Sequence, residues 1–491
     1  MFERLATVLP SLFPSKSPPL VTAANQEPTY RAGSSAGPRS KGWDAPDVSA
    51  NVATASASTI RARCRDAMRN DSLARAIVET KVDDVVGWGL KALSRASDEG
   101  TRVKVQALFE EWSHAADADG VLDFAGLQAL VVRNMIVDGE VFVRLRARKA
   151  EDGLPVPLQL QVLPAEICPA EYSTQTASGN QVKAGIEYSA IGARVAYWLR
   201  ETPPGEDDAI TSSATLHRVP AAQVLHVFEP LRPGQRRGVS LLAPALVRLR
   251  ELDRYCDATL LRLQMSTMFT ASVKTSGTDN VLYHPLTGER ISETTSDGKA
   301  MLRLSPGIFQ ELLPGEDLEF NDPPDPPAGF DAFVRNELRS AGAAVGVPLE
   351  CFTHDWTGMN DRLARVVLNQ YRRRVHRFVW SIFVPQFMRP IWNAWCAAVP
   401  ASAQISLLDA DRNVTFAPHA WPYVHPVQDV ASTREAIRSG LTSRAAAVAE
   451  TGEDVEVIDA QIAADNKRAD KLQIKVDSDG RQQRRTQAGA R

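Results

Sequence analysis

PALVRLRELDRYCDATLLRL, residues 244–263, and FDAFVRNELRSAGAAVGVP, residues 330–348, decide how this chain is read. In the first, Leu246, Leu249, Leu252, Cys256, Leu260 and Leu263 recur at intervals of three and four. That spacing puts an apolar stripe on one side of a helix. Pro244 suits its first turn, and the pattern predicts a helix of nearly 30 residues, about 45 Å long at about 1.5 Å per residue. In the second, Phe330, Val334, Leu338, Ala341 and Val345 repeat in the same way until Gly346 and Pro348 stop the helix. Residues 347–360 read as a loop. A long amphipathic helix follows over about 361–398, with kinks expected at Pro385 and Pro390. Between the two quoted helices lies a turn-rich insertion, 271–328, which closes on a run of prolines from Pro323 to Pro327. Two striped helices joined by an extruded insertion cannot bury both stripes in one hairpin, so the pattern predicts self-association.

Upstream, residues 1–50 carry seven prolines among Ser, Gly and Ala and read as an arm without apolar periodicity. Residues 58–90 read as helix with a break at Asn70-Asp71, and another helix covers about 101–116. Between 120 and 230 the period becomes two. Val141, Val143 and Leu145 alternate, as do Leu158, Leu160 and Val162. Ile186–Tyr188 and Val195–Leu199 read as a hairpin around Gly192, and 224–228 is a further strand. The fold class is therefore α+β, helix-rich, with mostly antiparallel strands. A last helical pair is expected at about 429–439 and 443–465, split by Gly440, before a polar tail from 476.

Composition excludes several classes. The chain has 491 residues, 44% hydrophobic and 23% charged, with a net charge of −3. It is neither disordered throughout nor a polycation, so nucleic-acid contact has to be local. Five cysteines at long gaps, without CxxC, offer neither a disulfide framework nor a zinc site. The first twenty residues lack an apolar core and do not read as a signal peptide. The longest uncharged stretch in the apolar region, Phe378 to Met388, is 11 residues, against about 20 needed to span a bilayer. No phosphate-binding loop, dinucleotide fingerprint, HExxH or GxSxG is present. Asp117-Ala118-Asp119-Gly120 has Ala115 and Gly126 where a calcium loop needs acids, and reads as a turn before a helix. Asp83-Asp84 reads as a solvated or inter-subunit face, and His226, in an apolar strand, as a satisfied core histidine. No metal, cofactor or catalytic residue is expected.

Three groups of residues stand out. Arg362, Arg365, Arg372, Arg373, Arg374 and Arg377 make one helix strongly basic, either as a face that pairs with acids on a neighbouring subunit or as a contact to DNA phosphates. From Leu304 to Gly329 there is no Lys, Arg or His, while Glu311, Glu316, Asp317, Glu319, Asp322 and Asp325 are present. That segment is either a polar exposed insertion or a surface that repels DNA or docks a basic partner. The 347–360 connection holds His354, Asp355, Trp356, Thr357, Met359 and Asn360. It either projects away from the helices or packs as a connector through Phe352 and Trp356.

The order of these segments resembles the lambda-type portal protein family of tailed bacteriophages, over about residues 45–470. His226-Val-Phe228 followed by Arg232-Pro-Gly-Gln-Arg-Arg-Gly-Val-Ser240 is similar to the family's approach to its first stem helix. Asp138-Gly139-Glu140-Val-Phe-Val143 and Leu163-Pro164-Ala165-Glu166 resemble its wing strands, and Gly346-Val-Pro348 the point where the second stem helix meets the tunnel loop. Trp421-Pro-Tyr-Val-His-Pro426 and Ile437-Arg-Ser-Gly-Leu-Thr-Ser-Arg444 resemble the passage into the C-terminal helices. One departure is Asn360-Asp361-Arg362-Leu363, where the family usually has small, hydroxyl-rich residues.

The resemblance implies a non-enzymatic, dodecameric ring at one capsid vertex, through which DNA is packaged and later ejected. It implies a virion location, with host cytoplasm during assembly. Implied partners are further copies of the chain, the large terminase subunit, head-completion or adaptor proteins, major capsid and scaffolding proteins, and double-stranded DNA without sequence preference, but no membrane. The implied parts are an arm (1–50), wing (51–238), stem helix (239–270), clip (271–328), second stem helix (329–346), tunnel loop (347–360), long wing helix and return (361–428), crown helices (429–475) and a disordered tail (476–491). The 354–360 residues named above would face the channel, and the acids of 311–325 would dock partners. Twelve helices about 10 Å thick make a circle about 38 Å across, which leaves a lumen of about 28 Å for a duplex. Two other readings are a soluble enzyme with an unrecognised site, which predicts a motif-bearing cleft, and a non-viral DNA-binding scaffold, which predicts a basic patch with stacking aromatics.

Overall fold

The computed structural model describes residues 47–53, 56–205, 215–268, 271–275, 316–320, 329–402, 407–423 and 425–474. Nearly all of the arm, the tail, and Glu311, Asp322 and Asp325 lie outside the described residues.

Four N-terminal helices build one side of the main core: Ala57–Asn70, Ser72–Val86, Glu99–Ser113 and Phe124–Val137. The expected break at Asn70-Asp71 is a shared boundary. Asp71 leaves the first helix in extended geometry and its carboxylate accepts the Leu73 and Ala74 N–H groups at the start of the second. Asp98 and Asp123 cap the next two in the same manner. The fourth helix falls inside the stretch whose period read as two. Its apolar residues (Leu127, Val131, Val132, Met135, Ile136) are buried all round, so no amphipathic period marks it. Asp117 does form the expected turn, accepting the N–H groups of Asp119, Val121 and Leu122.

A three-stranded antiparallel sheet has Glu140–Ala147 in the middle, flanked by Leu158–Leu163 and Val224–Phe228. Alternation along the central strand divides two cores. Val141 and Val143 face the main one, whereas Phe142 faces a smaller one with Ile167, Ile186, Tyr197, Leu199 and Val219. The smaller core belongs to a five-stranded antiparallel sheet running in sequence order from Thr174–Gln175 to Leu216–Pro220. The expected hairpin is there, with Ile186–Tyr188 paired to Arg194–Arg200. The main core is densest at an aromatic cluster in which Phe109 lies 5.1 Å from Trp392 and 5.2 Å from Trp395. Trp112 donates to the Leu158 carbonyl at 2.7 Å, so its one polar atom is satisfied.

The quoted helices are Ala243–Met268 and Phe330–Val345. They run antiparallel: Arg248 pairs with Glu337 at 2.7 Å, and Tyr255 packs on Phe330 and Phe333 at ring distances of 5.6 and 5.1 Å. Antiparallel strands Ala271–Thr275 and Glu316–Phe320 lie just beyond them.

Three expectations change in the C-terminal half. The connection 347–360 is not wholly a loop, because Leu349–Thr353 forms a short helix with Leu349, Glu350 and Phe352 buried. The long helix is not simply kinked at Pro385. It runs as α-helix over Asp361–Phe378, as π-helix over Val379–Met388, and as α-helix again over Arg389–Ala398. The wider turn accommodates the missing proline N–H while Phe383, Val384, Phe387 and Met388 stay buried. Pro390 follows at the junction where the π-helical stretch runs on into the next α-helical one. Val414–Ala417 returns to pair with Lys91–Ser94. The expected last pair is three helices, Pro426–Arg438, Arg444–Ala449 and Val455–Leu472, none with a fully buried residue.

Candidate functional site

Three of the segments quoted for the resemblance, 138–143, 163–166 and 226–240, meet in one buried polar knot. Glu140, at the start of the central strand, is 3% exposed at its side chain, and Arg237 is 6% exposed. The Arg237 Nε donates to both Glu140 oxygens at 2.8 and 2.9 Å. The rest of the guanidinium donates to the carbonyls of Cys168, Ala184 and Ala165. Glu140 also accepts the Gly238 N–H at 2.9 Å. Burial alone would raise the Glu140 carboxyl, but the charge of Arg237 and the His226 hydrogen bond outweigh it and hold the carboxyl well below the usual range. In His226 burial wins instead: it lowers the imidazole to about 4, so the ring is neutral. Arg194 can only donate, which makes His226 Nδ1 the acceptor at 3.1 Å and leaves Nε2–H to donate to Glu140 at 2.9 Å. Histidine 226 is thus a satisfied core residue.

Two glycines let the backbones close over this knot. A Cβ on Gly238 would sit 2.0 Å from the Gly139 carbonyl oxygen, and one on Gly139 would sit 2.3 Å from Val239. A second ion cluster adjoins it. Arg65 donates to Asp138 through Nε at 2.8 Å and to both Glu166 oxygens at 2.8 Å. Ser240, the last residue of the quoted approach segment, donates to the Ile136 carbonyl and accepts from Cys64. The role of this region is architectural: it fixes where the helix at 243 leaves the core.

That helix is held by the core near its base and by the return helix beyond it. Leu249 and Leu252 are buried, but Leu260 and Leu261 are 56% and 57% exposed, and Val247 and Phe333 are also bare. At the far end of the return helix, Lys81 donates to the Val345 carbonyl at 2.7 Å and lies over the Phe378 ring. Burial lowers the Lys81 ammonium to about 8.

The candidate residues of the 347–360 connection are in different settings. His354 has a left-handed backbone, φ 56°, at the end of the short helix. Asp355 pairs with Arg335 at 2.7 Å and accepts the Thr357 N–H, which ties the turn to the Phe330–Val345 helix. The Met359 N–H closes a turn on the Trp356 carbonyl. Asn360 caps the next helix by accepting from Leu363. Trp356 is 39% exposed and borders an open hollow with Glu79, Asp83, Asp84 and Trp421, whereas Phe352 is in the core.

The basic helix is also divided. Arg365 faces Asp429 at 3.7 Å, and Arg377 faces Glu229 at 3.5 Å. Arg372 donates to the Pro422 carbonyl and lies over the Trp421 ring at 5.0 Å. Arg362, Arg373 and Arg374 are exposed and make no ion pair among the described residues. Glu316, Asp317 and Glu319 lie on the strand of the insertion, in register with Thr275, Lys274 and Ser272. Among the described residues no group of three or more His, Cys, Asp or Glu could hold a metal, and no helix is long and apolar enough to cross a membrane.

Sequence reasoning singled out neither Arg65, Lys81 nor the ionic roles of Glu140 and Arg237. The signal for the last two was present in the DGE and RRG triplets, because glycine beside a lone charge marks a close backbone approach.

The helical hairpin with its bare apolar residues leaves the core beside this ion-paired base. The chain belongs to the phage portal proteins, within them to the lambda family, whose family model matches residues 36–378. It is 23% identical over 432 residues to a probable portal protein of Halomonas phage phiHAP-1, covering 85% of this chain and 81% of that one. It is likewise 23% identical over 473 residues to portal protein B of Escherichia phage lambda, covering 88% of each. Among solved structures, a chain from the neck of a native gene transfer agent particle covers 78% of this chain and 91% of its own length at 13% identity, with a TM-score of 0.47. A portal protein of the HK97 family from Corynebacterium diphtheriae covers 72% of this chain and 94% of its own length at 11% identity and a TM-score of 0.31. The protein is a phage portal protein, a structural component of the virion.

Proposed function

We propose that this portal protein assembles into a ring of about twelve copies at one capsid vertex and serves as a passive conduit for double-stranded DNA. The large terminase subunit drives DNA in, and head-completion or adaptor proteins bind afterwards. Major capsid and scaffolding proteins surround the ring during assembly in the host cytoplasm, and catalysis is left to the motor. In this reading residues 51–238 with 361–428 are the wing, 239–270 and 329–346 the stem, 271–328 the clip, 347–360 the tunnel loop and 429–475 the crown.

The observation that carries the reading is the hairpin of Ala243–Met268 and Phe330–Val345, with Val247, Leu260, Leu261 and Phe333 bare. Apolar side chains at helical spacing on both helices need neighbours, and a closed ring supplies the same neighbours to every copy. Arg362, Arg373 and Arg374 then face acids of the adjacent copy or passing DNA. The acids of 311–325 keep the clip from holding the duplex, because many unopposed phosphate contacts would release counterions and bind it tightly. His354 to Asn360 approach the channel at the ring's inner wall.

Negative-stain microscopy and mass measurement of the purified protein test this. Rings of about twelve without DNA or nucleotide are expected. Monomer alone at every concentration and salt would refute it.

A further inference from the structure

The five-stranded sheet carries an unbalanced charge that the portal role leaves unused. Register sets Gln181 opposite Tyr188 and Tyr188 opposite Arg194. Residues paired in this way share a face about 5 Å apart, and Lys183, two residues beyond Gln181, lies on the same face. The turn at 232–237 crosses one end of the row. Asn51 holds it by donating to the Gly234 carbonyl and accepting the Arg236 N–H. Together they enclose a hollow of about 680 Å³ whose lining includes Lys183, Tyr188, Ser189, Arg194, Gln235 and Arg236 and contains no Asp or Glu.

Among the described residues none of its three cations has a carboxylate partner. Arg194 donates to the Nδ1 of His226, which is neutral, and to the Tyr197 hydroxyl. The adjoining knot therefore has one carboxylate, Glu140, for two guanidiniums, Arg237 and Arg194. Arg236 lies 5.8 Å from the centre of the Tyr188 ring, and neither it nor Lys183 makes an ion pair among the described residues. Arg65 by contrast pairs with Asp138 and Glu166, Arg133 with Glu79 and Arg218 with Glu187, while Arg146 and Arg372 are held by the neutral oxygens of Gln161 and Pro422. The Tyr188 hydroxyl is shielded from solvent and has no hydrogen-bond partner.

We propose that this hollow binds phosphate groups of a nucleic-acid backbone. The Lys183, Arg194 and Arg236 cations around one concavity, with the Ser189 hydroxyl beside them, match phosphate oxygens. An acidic peptide would need an apolar anchor. The lining offers only Ala190 and the Tyr188 ring, and Arg236 already lies over that ring. The identity of the ligand as DNA rests on the portal reading, which brings DNA to the protein.

The test uses the assembled full-length protein and a labelled random-sequence duplex, titrated over a series of KCl concentrations. Lys183→Gln and Arg236→Gln are made singly and together. Arg194 is left alone because it touches His226. The double variant should bind about tenfold more weakly, and its slope of log affinity against log salt should fall by about 1–2. Inorganic phosphate should compete with the duplex on wild type more than on the double variant. An unchanged slope with intact rings would overturn the site and leave the portal reading standing. So would a wild type that binds no duplex, or variants that lose binding to poly-glutamate but keep the duplex. Absence of rings in wild type would instead sink the portal reading.

Discussion

Replacing Arg237 with Met should be among the most damaging single changes in this subunit. The side chain is buried, donates to both oxygens of an equally buried Glu140, and satisfies the carbonyls of Cys168, Ala184 and Ala165. Removing one partner of a buried ion pair costs about 3–5 kcal/mol. Three acceptors losing a donor add about 1 kcal/mol or more, less than additively. The expected loss is about 4–6 kcal/mol, comparable to the whole stability of many domains. The pH dependence identifies the cause. In wild type Glu140 is held below its ordinary value of 4.5, so its stabilisation is complete above about pH 5 and lost only as pH falls through the depressed value. Without Arg237, burial dominates and the carboxyl rises above 4.5. The penalty is then full at pH 8 and shrinks as pH falls through the raised value. Urea unfolding followed by tryptophan fluorescence, at fixed subunit concentration, should show the gap between wild type and variant narrowing from pH 8 to pH 5. Adding Glu140→Gln should restore part of the loss, because it removes the orphaned charge. A loss below about 1 kcal/mol, a gap independent of pH, or a double variant no better than the single one would refute this account.

Gly238→Ala places a methyl 2.0 Å from the Gly139 carbonyl, so it should shift the start of the 243–268 helix and reduce the yield of rings by size-exclusion chromatography, whereas Gly234→Ala, a turn glycine with φ 76° and open space around it, should cost only about 1 kcal/mol in unfolding. Phe352→Ala should lower unfolding free energy by about 3–5 kcal/mol, as for a buried aromatic. Trp356→Ala, at 39% exposure, should cost roughly half that or less and show its main effect in DNA packaging or retention; equal losses at both sites would contradict their different settings. Burial lowers Lys81 to about 8, so the unfolded chain holds more protons above that pH and stability should climb between about pH 8 and pH 10. Lys81→Met should flatten that climb in the same urea series.

The elements legible in the sequence are those whose two faces differ. The 330–345 helix has its apolar residues on one face, and Gly346 and Pro348 mark its C-terminal end. Val141, Val143 and Leu145 stand out by alternation because their strand turns them to the main core and turns Phe142 and Arg144 to the other side, where the smaller core begins. Phe124–Val137 was harder because it is apolar all round and leaves no period to follow. The π-helical stretch was read as a kink because proline chemistry predicts a disturbance without saying which form it takes. Leu349–Thr353 is a single turn of helix held by the burial of Phe352, a tertiary cause that five residues of local sequence do not encode. The basic helix was visible as a charge run. Which arginines are already engaged depended on Asp429, Glu229 and Pro422, which only the fold brings near.

The knot also sets an order of events during synthesis. Glu140 and Arg237 are 97 residues apart, and Cys64 and Ser240 are 176 apart. At about 5–20 residues per second, Glu140 leaves the ribosome roughly 5–20 s before its partner. Until then its carboxylate stays in water and the central strand lacks Val224–Phe228 at its edge. The segment that closes the knot, 237–240, immediately precedes the helix whose bare leucines seek other copies. Each nascent chain therefore has what it needs to close this knot before it exposes the helix with the bare leucines, whereas the aromatic centre of the main core waits for Trp392 and Trp395, more than a hundred residues later.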